Sequence, residues 1–186
     1  MTRRRWFALG VVAAAAVVSA QLTGVSPAGA APASPTAARV LYYDATRAAE
    51  FVSAMNQGAA NWNASVANVR LEPVPAGRRA NITVTADNGW PRTQVTSLGN
   101  GRIIMGRQAV QQGHSPARIA AHEFGHILGL PDRRTGLCAD LMSGSSAPVS
   151  CTSAYPNATE AATVNNSFRS VAAAAAVPAR EYVWVG

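Results

Sequence analysis

Residues 115–132 read Ser-Pro-Ala-Arg-Ile-Ala-Ala-His-Glu-Phe-Gly-His-Ile-Leu-Gly-Leu-Pro-Asp, and how this stretch folds decides what the chain can do. Ser115 is a good N-cap and Pro116 suits the first helical position, where a missing N–H costs nothing, so a helix is expected to start there. It should run through about Leu128 until Gly129 ends it. At about 100° per residue, His122 and His126 stand only ~40° apart and one turn above each other, so both imidazoles can reach one metal ion. Ala120, Phe124, Ile127 and Leu128 gather on the roughly opposite face. A core stripe on one side and a ligand pair on the other is the layout a zinc site at the floor of a cleft requires.

A catalytic zinc takes about three protein ligands and keeps one position open for water. Asp132 is the third candidate: Gly129 lacks a Cβ and can take positive φ, turning the chain back so that Leu130-Pro131 leads Asp132 towards the metal. Glu123, beside the first histidine, is not placed to share the ion but can take a proton from a water that the metal has acidified. The H-E-x-x-H spacing carries this mechanism, and the G-x-x-D that follows sharpens it. The bland alternative is a pair of surface histidines on a solvated helix. His114, alone ahead of the helix, reads as a solvent-exposed loop residue and not as a ligand.

Working outward, Arg39–Tyr43 is β-branched and aromatic and reads as a strand, while Phe51, Met55, Ala59, Trp62 and Val66 recur at helical spacing, giving a helix over about 47–64 despite Gly58. Val69–Val74, Asn81–Ala86 and Gly101–Met105 read as further strands, with turn-rich connections at Asp87–Pro91 and Leu98–Gly101. Asn157 and Glu160 form a capping box for a last helix. The order of elements is that of an α+β fold.

The chain has 186 residues, a length suited to one domain, with 48% hydrophobic and 13% charged residues. That is too apolar for a disordered chain. The net charge of +7 comes from arginine alone, since there is no lysine. Three arginines stand at Arg3–Arg5 and the others are spread without clusters or interleaved aromatics, so no nucleic-acid partner is expected.

Residues 1–30 read as a secretory signal peptide: a basic start, an apolar Trp6–Ala20 segment and a small-x-small Ala28-Gly29-Ala30 cleavage pattern. The segment is short and Ala-rich for a membrane anchor, so no membrane association is expected once it is removed. Export by the general or the twin-arginine route both remain open. Residues 31–38 (APASPTAA) form a linker or short pro-segment, residues 39–170 the folded domain, and residues 171–186 a tail without periodicity. Cys138 and Cys151 are an even pair in an exported chain, which favours a disulfide over two free buried thiols.

The string His122–Asp132, with Asp140-Leu141-Met142-Ser143-Gly144 and Tyr155-Pro156-Asn157 downstream, resembles the snapalysins, small secreted zinc endopeptidases of the metzincin type from streptomycetes. The resemblance covers about residues 39–170, and Asp as third ligand separates this family from metzincins that use His. It implies a metzincin-like mixed sheet with an active-site helix and a C-terminal helix. It further implies that His122, His126 and Asp132 bind Zn(2+) and that Glu123 is the general base that later protonates the leaving amine. Met142 would be an apolar floor beneath the ligands. Tyr155 would steady the oxyanion, although from spacing alone it reads equally as a packed core tyrosine. Cys138 and Cys151 would be the family's single disulfide, bracing the loop of Met142. Some members hold Ca(2+) just before the active-site helix; here His114-Ser115-Pro116-Ala117 offers no carboxylate, so calcium would depend on carbonyl oxygens.

The resemblance also implies protein or peptide substrates, with aromatic residues favoured just after the scissile bond, and the expected state is a monomer. The tail passes the family's usual end, and three fates are open to it: disorder, packing on the domain through Tyr182 and Trp184, or trimming after secretion. The pro-segment is too short to supply much of an inhibitory domain. The rival reading from another class is a secreted binding module that holds zinc without turnover. Glu123 speaks against it, because a structural zinc has no use for a base and takes four protein ligands.

Overall fold

Leu41, Tyr43 and Ala45 alternate with more exposed neighbours along the first strand, the period-2 pattern that buries one face of a sheet. The computed structural model describes residues 38–169 and 180–184. The signal expected over 1–30, most of the 31–38 linker, and residues 171–179 and 185–186 of the tail lie outside the described residues. Among the described residues no helix is long and apolar enough to cross a membrane.

Six strands make one mixed sheet: β1 (Arg39–Arg47), β2 (Val69–Pro73), β3 (Ile82–Asp87), β4 (Arg92–Ser97), β5 (Asn100–Gly106) and β6 (Arg180–Val183), in spatial order β2-β1-β3-β5-β4-β6. The pairings β1–β2, β1–β3 and β3–β5 are parallel, whereas β4 runs antiparallel to both β5 and β6. The helices are α1 (Val52–Ser65), α2 (Arg107–Gln111), α3 (Pro116–Ile127) and α4 (Ala158–Ser167). Leu41, Tyr43, Ile82, Val84, Val95 and Ile103 from the sheet share one core with Met55, Trp62, Phe124 and Ile127 from α1 and α3. The α+β class and the mixed sheet expected from the sequence are therefore present.

Several elements differ from the sequence reading, among them the short helix α2, which has no counterpart there. Residues 92–97 had no assignment yet form β4, because only Thr93 and Val95 are buried and so short an alternation carries little apolar signal. The tail, which had no assigned structure, contributes β6. The first helix also starts later than 47: β1 extends to Arg47, a 3-10 turn occupies Ala49–Phe51, and α1 begins at Val52.

Gly58, a weak helix former in the middle of α1, has a packing reason to be there. A Cβ at this position would stand 2.8 Å from the Ala121 backbone nitrogen and 3.1 Å from the Ala120 carbonyl carbon. Its absence lets α1 and α3 approach backbone to backbone, and the Trp62 Nε1–H donates to Ala121 O at 2.7 Å across the same seam. Gly58→Ala should thus force the helices apart and cost about 1–3 kcal/mol, a range typical of overpacking, measurable by chemical denaturation monitored by circular dichroism.

Candidate active site

Helix α3 begins as its sequence predicts, with the Ser115 hydroxyl accepting from the Arg118 N–H and Pro116 in the first turn. Its C-terminal end is set by Gly129 at φ 97°, after which Leu130 N–H donates back to Gly125 O at 2.9 Å. The reversal brings Asp132 beside the helix. His122, His126 and Asp132 offer ligand atoms that all lie within 4.8 Å of one another.

The protonation of this cluster follows from its hydrogen bonds. His122 Nδ1 lies 3.0 Å from Leu141 O and His126 Nδ1 2.8 Å from Leu130 O. A carbonyl oxygen only accepts, so both Nδ1 atoms carry the proton and, in the neutral rings, both Nε2 atoms present bare lone pairs. Those two nitrogens are 3.0 Å apart, and Asp132 Oδ1 stands 3.2 Å from one and 3.5 Å from the other. Burial, together with the neighbouring His122, pushes the His126 imidazolium down to about 3, so that ring is neutral at physiological pH. Burial pushes the Asp132 carboxyl up, but the adjoining His122 and the Arg134 charge outweigh it and hold it below the usual range. Three electron-pair donors thus converge without a proton among them in the neutral-ring state. A bound cation resolves that clash, and two imidazoles with one carboxylate are a donor set suited to zinc.

Glu123 is completely buried. Its Oε2 accepts from the Thr93 hydroxyl at 2.6 Å, while its Oε1 has no partner among the described residues. Burial raises this carboxyl to about 7, against the pull of His122 and the Thr93 hydrogen bond. A buried, half-satisfied carboxyl beside a group of convergent ligand-type atoms is a candidate proton acceptor.

The loop beyond Asp132 is held from beneath. Cys138 and Cys151 form a disulfide, as expected for the pair. Met142 is fully buried within the 3-10 turn Leu141–Ser146, and a Cβ on Gly125 would meet its Sδ at 2.5 Å. The absence of that Cβ is what lets the turn sit directly under α3. Gly144, at φ 61°, allows a further close pass, since a Cβ there would stand 3.3 Å from His122 Cε1 and 3.7 Å from Asp132 Oδ1.

Several supporting residues had no signal in the sequence. Arg118 is buried, and its guanidinium donates to Asp140 O and Ser153 O at 2.6 Å and to Cys138 O at 3.1 Å. Glu160 does more than close the capping box: its carboxylate also accepts from the N–H groups of Met142 at 2.8 Å and Leu141 at 3.2 Å. Thr93 lies on the unassigned strand β4.

Tyr155 sits on the loop before α4 with 54% of its surface exposed, and it is not one of the buried core residues. The aromatic residues that do lie against the cluster are Tyr182, stacked on the His126 ring with centroids 4.0 Å apart, and Trp184, edge-on to His122 at 4.5 Å. His114 is buried, not solvent-exposed, because Trp184 packs against it at 5.5 Å. Every residue of α3 from Arg118 to Ile127 is buried, the ligand face included.

A buried carboxyl raised from 4.5 to about 7 opposes folding only where it must ionise, so this penalty is absent below about pH 4.5 and complete above about pH 7. In metal-free protein, Glu123→Gln should therefore gain on the order of 3 kcal/mol of stability on going from pH 4 to pH 8 relative to wild type, read from urea midpoints in the presence of chelator.

The extracellular small neutral protease of Streptomyces lividans is 39% identical over 150 residues, which is 81% of this chain and 66% of that protein. That of Streptomyces sp. strain C5 is 37% identical over 161 residues, 86% of this chain and 69% of its own length. That of Streptomyces caespitosus is 40% identical over 125 residues, 66% of this chain and 92% of its own length. These extracellular names accord with the export signal read at the N-terminus. The model of the Streptomyces extracellular neutral proteinase (M7) family matches residues 38–170, so the chain belongs to that family of proteases.

Proposed function

We propose that this protein is a secreted zinc endopeptidase that hydrolyses peptide bonds in extracellular proteins, with His122, His126 and Asp132 as metal ligands and Glu123 as general base. The observation that carries the reading is the pair of bare Nε2 atoms 3.0 Å apart beside the Asp132 carboxylate, with the unpartnered Oε1 of the buried Glu123 on the same helix. Bound at that cluster, zinc supplies Lewis-acid polarisation of a carbonyl and acidifies a water.

The chain's own residues do the rest. Leu141 O and Leu130 O hold the imidazoles in the tautomer that ligates. Thr93 fixes Glu123 through one carboxylate oxygen and leaves the other free to take a proton from the attacking water and return it to the leaving amine. The apolar surroundings that raise the Glu123 carboxyl make it a stronger base than an exposed glutamate. Tyr155 is assigned the steadying of the tetrahedral oxyanion, on the strength of its family match and its place on the loop following the 3-10 turn. Met142 is the floor under the ligands.

A zinc-holding binding module without turnover is the alternative outcome. Hydrolysis of casein or a quenched-fluorescent peptide should be abolished by chelation and restored by zinc. Glu123→Gln should keep one zinc per chain, measured by atomic absorption, and lose about 100- to 10,000-fold in kcat, the usual worth of a general base. Asp132→Ala should lose zinc itself. Zinc bound at full occupancy without hydrolysis of any substrate would make the binding module the better reading.

A further inference from the structure

The tail does not merely extend the sheet; it covers the cluster. Strand β6 pairs antiparallel with β4 in the register Arg92–Val183, Thr93–Tyr182, Gln94–Glu181 and Val95–Arg180. Thr93, opposite Tyr182, is the residue whose hydroxyl holds Glu123. One residue beyond β6, Trp184 N–H donates to Pro91 O at 2.8 Å, and its side chain is only 2% exposed. Tyr182 stacks on the His126 ring within 7° of parallel, and Trp184 lies against both His122 and His114. Val183 and Trp184 line a small space shared with Asp132, Ser143 and Gly144.

The other edge of β4 is taken by β5, so a peptide lying extended beside Glu123 and the histidines has only the β6 side of β4 to pair with. Adding an extended peptide to a sheet edge gives main-chain hydrogen bonds irrespective of sequence, which suits an endopeptidase groove. A substrate and β6 cannot occupy that edge together. Resting on the peptidase reading above, we propose that Arg180–Trp184 is an autoinhibitory strand: the C-terminal segment binds its own domain's substrate groove in the manner of a peptide, and Tyr182 and Trp184 anchor it over the metal ligands. Inhibition of this kind is competitive and intramolecular, so it raises KM and leaves kcat unchanged.

The test uses the full chain loaded with zinc. The variant Tyr182→Ala/Trp184→Ala removes both anchors, and Tyr182→Pro removes the backbone N–H that faces Thr93 and so interrupts the ladder while keeping Trp184. Aromatic contacts of this kind are each worth roughly two- to tenfold in an equilibrium, so the double variant should show KM for a short peptide lowered about tenfold with kcat within about twofold. Tyr182→Pro should move the same way. Hydrogen exchange of residues 92–97 should accelerate in both variants, with or without zinc. A synthetic peptide of residues 178–186 (PAREYVWVG) added in trans should inhibit the double variant competitively.

Unchanged KM and unchanged exchange at 92–97 would overturn the proposal. So would a parallel loss of activity and thermal stability in both variants, which would make β6 a structural strand. Mass spectrometry showing cleavage within residues 180–184 during turnover would make the segment a substrate and not an inhibitor. If no form of the chain hydrolyses peptide while holding zinc, the peptidase reading fails instead, and protection of residues 92–97 alone decides whether the tail covers the edge.

Discussion

Three electron-pair donors held within contact of one another are the constraint on which the rest of this structure depends. His122 Nε2, His126 Nε2 and Asp132 Oδ1 repel one another unless a cation sits among them, so the protein must hold them there by force applied from behind. That force is the pair of backbone carbonyls, Leu141 O and Leu130 O, each bonded to the far nitrogen of one ring. Leu130 lies in irregular chain and Leu141 opens a short 3-10 turn, and such segments keep their place only when something else pins them.

The pins are specific. Gly129 at φ 97° lets the segment with Leu130 fold back on α3. The segment with Leu141 is fastened to the carboxylate of Glu160, to the buried guanidinium of Arg118 through the neighbouring Asp140 carbonyl, and to the Cys138–Cys151 disulfide. Closing a loop of that size by a disulfide contributes about 3 kcal/mol, chiefly by restricting the unfolded chain. Among the described residues Arg118 has no carboxylate within ion-pair reach; its charge is spread over three carbonyl oxygens. A lysine could not serve three acceptors in this fork geometry. The two close glycine contacts, Gly125 against Met142 and Gly144 against His122, then let this loop lie flush with the helix.

Strand β4 links the His122, His126 and Asp132 cluster to the edge strand β6. It is the strand that positions the Glu123 carboxylate, through Thr93, and the strand that receives the C-terminal segment, at the same residue. Orientation of Glu123 and access to it are therefore coupled within six residues. This coupling explains why α3 is buried on both faces although its sequence is amphipathic: the polar face is covered by Tyr182 and Trp184 and by the loop of Met142, not by water.

The cluster was legible in the sequence because its parts are local: His122, Glu123 and His126 share one helix, and the cap at Ser115, the stop at Gly129 and the return to Asp132 all lie within eighteen residues. Helical periodicity and glycine conformational freedom suffice to bring them together, and the α+β class followed from the same kind of short-range pattern. Tertiary structure alone decided the supporting groups. Arg118 and Glu160 read as an ordinary helical arginine and an ordinary capping residue, because their partners are backbone atoms 18 to 35 residues away, and backbone partners leave no mark on composition. Strand β4 was silent because it buries only two side chains. The tail gave Tyr182 and Trp184 as residues able to pack, but where they pack depends on a sheet edge left open roughly ninety residues earlier, as the Thr93–Tyr182 pairing shows. Local patterns carry the chemistry of this chain; long-range pairing sets what covers it.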